Sequence, residues 1–331
     1  MKLFKKISLP LLAFLFLGQA FAFAEELTIY SGRSEKLVGS VLKRFEEVSG
    51  IKLNVRYGKT PELAATLIEE GRRTPADIFY SQDAGALGAL TEEGLLASID
   101  ESLLSKVKRG FVSSKKKWIG ITGRGRTIDY NTDLVNPKDL PKTIWGLLDQ
   151  KWSGGRIGWA PLNSSFQSFV AGLLVTQGEK RTRLWLQGIK ANEPQVYPKN
   201  TAIVAALGRK EISVGLVNNY YLHRFLSKDP SYPVAHHYTQ GDVGSMLNVA
   251  GIGILKNSSK KELAEKLIKF LLSEEIQKTF AKTTFEYPLI KGIEVQGPQK
   301  SLSTFSTLDL DLNELKEIRK AVTILKEEGV L

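Results

Sequence analysis

Between Leu37 and Phe45 apolar residues return every three to four positions. Leu37, Val38, Val41, Leu42 and Phe45 therefore share one helical face, and Gly50 closes that helix. The period changes on either side. Leu27 to Tyr30 is a short apolar run of strand type, and Ile51, Leu53, Val55 and Tyr57 alternate with polar residues as a second strand. Thr60-Pro61 reads as an N-cap followed by proline in the first turn of a helix that ends near Gly71, and Ala76 to Tyr80 supplies a third strand. The series β-α-β-α-β predicts an α/β domain that holds ligands at the carboxyl ends of its strands, where Tyr30 and Ser81-Gln82 fall.

A second stretch of alternating elements runs from about Thr127 to Val249. It contains Arg156 to Trp159, the Ser165 to Val175 region, and Ile212 to Asn218, and its length predicts a second lobe. The chain then returns through Val249 to Leu255, a glycine-rich strand. Next comes a helix that Ser259 would cap, with Glu262 three residues on. A terminal helix over about Asn313 to Glu328 carries Leu315, Ile318, Val322 and Leu325 on one stripe, as core packing requires.

Composition narrows the function classes. Lys2, Lys5 and Lys6 precede the apolar run Ile7 to Leu17 and then Ala22-Phe23-Ala24, the pattern of a secretory signal peptide cleaved before Glu25. With no cysteine to acylate, the exported chain is expected to be soluble and not membrane-anchored. The formal net charge of +11 is scattered, and no finger or RNA-recognition signature accompanies it, so nucleic acid is not an expected partner. His223 reads as a packing or surface residue, His236-His237 is not spaced for a zinc site, and no nucleophile-base-orienter set is visible, so no enzyme is expected.

Without cysteine and with three histidines, metal ligands would have to be oxygens, and the pair Tyr220-Tyr221 offers two hard phenolates suited to ferric iron. The same pair also reads as a strand end with one ring packed and one at the surface. Arg124 and Arg126, two apart on an extended segment, share a face and present forked donors suited to carbonate or phosphate, or stand as solvated arginines on a surface strand. Asn163-Ser164-Ser165 is either an anion pocket or a plain helix cap.

Six segments stand in a telling order: Tyr30-Ser31-Gly32-Arg33, Pro75-Ala76-Asp77-Ile78-Phe79-Tyr80, Gly123-Arg124-Gly125-Arg126, Asn218-Asn219-Tyr220-Tyr221, Gly241-Asp242-Val243-Gly244-Ser245 and Glu286-Tyr287-Pro288-Leu289. In these the chain resembles the periplasmic ferric-iron-binding proteins of ABC importers, over nearly its whole exported length. The resemblance implies a two-lobed periplasmic binding protein of type II, each lobe a mixed sheet flanked by helices, with crossing hinge strands. It divides the chain into a signal peptide (1–24), one lobe (25–124 and 250–300) and a second lobe (125–249 and 301–331). It also implies Tyr220 and Tyr221 as metal ligands, with Tyr30 as a third. Gln82 and Phe166 stand where particular subgroups place a carboxylate and another tyrosine. A synergistic anion, expected to be carbonate, would complete the shell, held among Arg33, Arg124, Arg126, Asn163, Ser164, Ser165, Asn200 and Asn218. The implied partner is an inner-membrane ABC permease that receives Fe3+ from a monomeric periplasmic carrier. A binding protein of this fold for an oxyanion, thiamine or a sugar phosphate is the alternative, and an exported enzyme on the same scaffold is a third class.

Overall fold

A computed structural model describes residues 25–293, 310 and 312–331, so the expected signal peptide, and residues 294–309 and 311 of the expected lobes, lie outside the described residues. The chain opens with β1 (Glu26–Ser31), α1 (Glu35–Ser49), β2 (Lys52–Tyr57), α2 (Thr60–Glu70), β3 (Ile78–Ser81), α3 (Ala84–Glu92) and the single turn α4 (Glu101–Leu104). Gly50 ends α1 as its sequence suggests: it sits at φ 73°, and its N–H returns to the Glu46 carbonyl. Thr60 departs from expectation. It lies inside α2, with Lys59 at the N-cap position, and its hydroxyl accepts the Gln82 N–H at 3.0 Å, so it ties two strand-to-helix turns together.

The long strand β4 (Trp118–Asn131) organises the second half of the fold. After it come β5 (Ile157–Trp159), α5 (Ser164–Ala191), β6 (Gln195–Val196), α6 (Asn200–Gly208), β7 (Val214–Asn218), α7 (Asn219–Leu226), β8 (Val234–His237), β9 (Leu247–Ile254), α8 (Lys261–Leu271), α9 (Glu274–Thr284), β10 (Tyr287–Pro288) and α10 (Ile318–Glu327). The expected capping of α8 by Ser259 does not form. Lys260 is the N-cap residue, and the Ser258 hydroxyl accepts its N–H at 3.0 Å.

Among the described residues the strands run in the order β2-β1-β3-β9-β4-β7-β5-β6, with β10 and β8 also paired to β4. The fold is α/β and two-lobed, because β4 serves two strand groups in turn. Its first half, Trp118 to Gly125, pairs antiparallel with β9, and its second half, Arg126 to Tyr130, pairs with β7. The partner changes between Gly125 and Arg126, where the Gly125 N–H is taken by the Asn219 side chain at 2.9 Å. The chain crosses back through the turn Val243–Ser245, which Asp242 caps by accepting the Gly244 N–H. The last helix α10 packs on α5, and the turn before it, Leu312–Glu317, packs on both α3 and α5. No helix among the described residues is long and apolar enough to cross a membrane.

Candidate functional site

A cleft of about 600 Å³ opens between the two strand groups, lined by the starts of helices. One wall carries Gly32, Ser34, Lys36, Lys59, Thr60, Pro61, Glu62 and Gln82, from the beginnings of α1, α2 and α3. The other carries Leu162, Asn163, Ser164, Gln167, Pro198, Tyr220, Tyr221 and Arg224. Strands ending at the same level bring these turns together, the usual ligand position in open α/β sheets. Gly32 is required by this approach, because a Cβ there would lie 1.9 Å from the Thr60 hydroxyl oxygen.

Tyr220 and Tyr221 stand in the first turn of α7, directly after β7, so they are not strand residues. Their rings are tilted by 31° with centroids 4.2 Å apart. Tyr220 is buried, Tyr221 half-buried, and both reach the cleft. Burial and then the neighbouring Tyr220 push the Tyr221 phenol upward, while Arg124 and Arg224 pull it back.

Behind the tyrosines lies a layer of buried cations at the point where β4 changes partner. Arg124 and Arg126 are 2% and 3% exposed, which removes the solvated-strand reading. Burial pushes the Arg126 guanidinium down to about 10, against the pull of Tyr221 and Tyr220. Its Nη1 donates to Asn218 Oδ1 at 3.2 Å and to the Ser165 hydroxyl at 3.4 Å. That hydroxyl also accepts from Asn200 Nδ2 at 3.2 Å and donates to Asn163 Oδ1 at 2.7 Å. Asn163 in addition caps α5 by accepting the Ser165 N–H at 2.9 Å. The cap and the polar cluster are therefore one arrangement, joining Arg126, Asn218, Ser165, Asn200 and Asn163. Arg124 Nε and Nη1, Arg126 Nη2, Arg33 Nε and Asn200 Oδ1 are buried with no hydrogen-bond partner among the described residues. Each such orphan costs about 1–3 kcal/mol, so the unpaired N–H donors of Arg33, Arg124 and Arg126 would gain from an added anion.

Arg33 serves another purpose. Its Nη2 donates to Glu286 at 2.7 Å and its Nη1 to Gln82 at 2.9 Å, with both charged side chains wholly buried. Thr122 also donates to Glu286, at 2.6 Å, so Arg33 anchors the β1–α1 turn to β4 and β10 and orients Gln82 at the cleft surface.

Tyr30, expected as a third ligand, is not among the residues lining the cleft. Its hydroxyl donates to Glu70 at 3.1 Å and accepts from Arg56 at 3.2 Å, at the far end of α2 from the cleft. Thr60 and Glu70 are separated by about 15 Å of helix at 1.5 Å per residue. Phe166 is buried edge-on against Trp159, with centroids 5.4 Å apart. His236 Nδ1 meets Asp129 at 2.6 Å while His237 Nε2 meets the Pro141 carbonyl at 2.7 Å, so the two histidines serve separate purposes. Among the described residues no group of three or more His, Asp or Glu side chains is placed to hold a metal ion.

Arg224 is a cleft residue that the sequence does not single out. Its guanidinium carbon lies 5.1 Å from the Tyr220 ring centre and 5.4 Å from that of Tyr221. A signal is nevertheless present, since Tyr220 and Arg224 stand four apart and share a face once the tyrosines begin a helix.

A family profile for bacterial extracellular solute-binding proteins matches residues 73–313. The major ferric iron-binding protein of Neisseria meningitidis serogroup A is 30% identical over 310 residues, spanning 92% of this chain and 93% of its own. Iron uptake protein A1 of Synechocystis is 32% identical, over 92% of this chain and 87% of its own. The solved structure of iron-bound HitA from Pseudomonas aeruginosa superposes with a TM-score of 0.87 at 31% identity, over 92% of this chain and 99% of that one.

Proposed function

Since the chain belongs to the family of bacterial extracellular solute-binding proteins, within its ferric-iron-binding group, we propose that it captures ferric iron in the periplasm through the phenolates of Tyr220 and Tyr221 and an exogenous anion, and passes it to an inner-membrane ABC permease. The observation that carries this reading is the adjacent, tilted phenol pair at the cleft surface, backed by buried guanidinium groups with N–H donors unpaired among the described residues. Phenolate is a hard anionic donor matched to a small trivalent ion. Two phenolates leave one positive charge on the iron and most of its coordination positions unfilled. With Tyr30 turned away, Gln82 neutral and Phe166 buried, the remaining donors come from outside the chain.

Arg124 and Arg126 supply the counter-charge for that anion, because neither pairs with a carboxylate among the described residues and both keep unpaired donors. A planar carbonate suits forked guanidinium donors. Ferric titration of the purified protein tests the reading. A phenolate-to-iron visible band should appear with bound iron, weaken in the Tyr220→Phe and Tyr221→Phe variants, and disappear in the double variant. A double variant that binds iron with an unaltered spectrum would overturn it.

A further inference from the structure

Asn219 opens α7, directly before the phenol pair, yet it is wholly buried and is not among the residues that line the cleft. Its amide makes two long-range hydrogen bonds. Oδ1 accepts the Gly125 N–H at 2.9 Å, and Nδ2 donates to the Phe285 carbonyl at 3.3 Å. Gly125 is the last residue of β4 paired with β9 before the strand turns to β7. Phe285 closes α9 at φ 58°, in left-handed backbone that a residue other than glycine rarely adopts. After it β10 begins at Tyr287 and pairs with β4 at Thr122 and Gly123. One side chain thus fastens the phenol-bearing turn to β4 at its change of partner and to the approach of β10. The preceding Asn218 grips the next residue of β4, since its Oδ1 accepts from Arg126 Nη1 at 3.2 Å. As the N-cap residue of α7, Asn218 makes no side-chain capping bond, so bonds to distant segments fix where this helix starts.

We propose that Asn219 is a positioning residue of the metal site: by tying the first turn of α7 to Gly125 and Phe285, it fixes the directions in which the Tyr220 and Tyr221 oxygens meet one ion. This rests on Tyr220 and Tyr221 as the iron ligands. Two ligands on a helix of eight residues keep their geometry only while the helix itself cannot shift. Hydrogen-bonding partners behind a ligand hold it in this way, and losing one costs about ten- to a hundredfold in metal affinity. A loosened turn lets the two oxygens approach iron at varied angles. Both the affinity and the energy of the phenolate-to-iron band then change.

Ferric titrations test this by comparing the wild type with Asn219→Ala, which removes both bonds, and Asn219→Asp, which keeps an acceptor for the Gly125 N–H. Affinity should fall by about ten- to a hundredfold in Asn219→Ala. The visible band of that variant at saturating iron should also move from its wild-type position. A merely structural role would leave the band in place, because protein that is less stable but folded and loaded keeps its colour, and urea denaturation gives the folded fraction. Asn219→Asp should lie between the other two in both readings. If Asn219→Ala does not fold, Asn219→Asp decides on the same two readings. A variant with wild-type affinity, or with the wild-type band at saturation, overturns the proposal and leaves the ligands as assigned. A wild type that binds iron without a phenolate band removes the ligand assignment and this proposal with it, so the wild-type spectrum tells the two failures apart.

Discussion

Tyr221 turns burial into a pH dependence. Burial and the adjacent Tyr220 raise its phenol above the ordinary value, so it is protonated at neutral pH, and on the proposed reading iron has to displace that proton. Affinity therefore rises with pH and falls in acid, by up to about tenfold per unit for each proton released. Competition titrations across about pH 6 to 8 should give this positive slope, reduced in Tyr221→Phe. A flat profile would mean that no phenol proton is displaced. Removing either phenol should weaken iron binding by more than about 100-fold, the upper range for losing a residue that only supports a ligand. Stability should fall by only about 0.5–1.5 kcal/mol, the net worth of one hydrogen bond, in urea denaturation. At this scale the sequence is legible where chemistry names the residue. Adjacent tyrosines and paired arginines mark the residues that the fold brings to the cleft and to the buried layer behind it. Tyr30 is harder to place from sequence, because a strand-end ring can point to either face. In the fold its hydroxyl meets Arg56 and Glu70, partners that sequence distance hides.

The helix α7 has a second face, turned away from the cleft. There His223 is buried with both ring nitrogens unpartnered among the described residues, its ring 5.1 Å from that of His236 and 5.5 Å from that of Phe285. Burial, and then His236, push its imidazole down to about 3, so it is neutral in the folded protein. Unfolding releases it to an ordinary value of about 6.5, so the unfolded chain binds more protons between those limits. Its contribution is complete above about pH 6.5 and is lost as the pH falls toward 3, at about 1.4 kcal/mol per unit of depression. Denaturant midpoints measured over this window should show a shallower slope in His223→Leu than in the wild type. The same slope in both would place the titration elsewhere. A different element contact joins β10 to the β1–α1 turn, the buried Arg33–Glu286 pair. Glu286→Ala leaves a buried cation alone and should cost about 3–5 kcal/mol by chemical denaturation. Elements are legible where the period is strong: α1 and its glycine stop, the alternating β2, and the apolar β9. Caps are not, since a hydroxyl can cap its own helix or bond elsewhere. Thr60 bonds to the Gln82 turn, and Ser258 takes the place expected of Ser259.

Over the whole molecule, the two strand groups share β4 and one cleft, with the phenol pair on one wall and Gln82, Lys36 and the start of α2 on the other. On the proposed reading, a complex that touches both walls would stabilise a closed form over an open one, and that difference would shift the population. Solution scattering should therefore show a smaller radius of gyration with ferric iron and its anion than without, and no change in the double Phe variant. This architecture is legible from the order β-α-β-α-β succeeded by a second alternating stretch. The crossing itself is less so, because nothing in Gly123-Arg124-Gly125-Arg126 reveals that the partner strand changes within those four residues. The most direct test of the account is the position of the metal. Crystals of the iron-loaded protein, measured on both sides of the iron absorption edge, should give one anomalous peak in the cleft, within bonding distance of the Tyr220 and Tyr221 oxygens, with anion density beside it that reaches the Arg124 or Arg126 guanidinium. A peak elsewhere, or one in the cleft that neither phenol oxygen contacts, would contradict it.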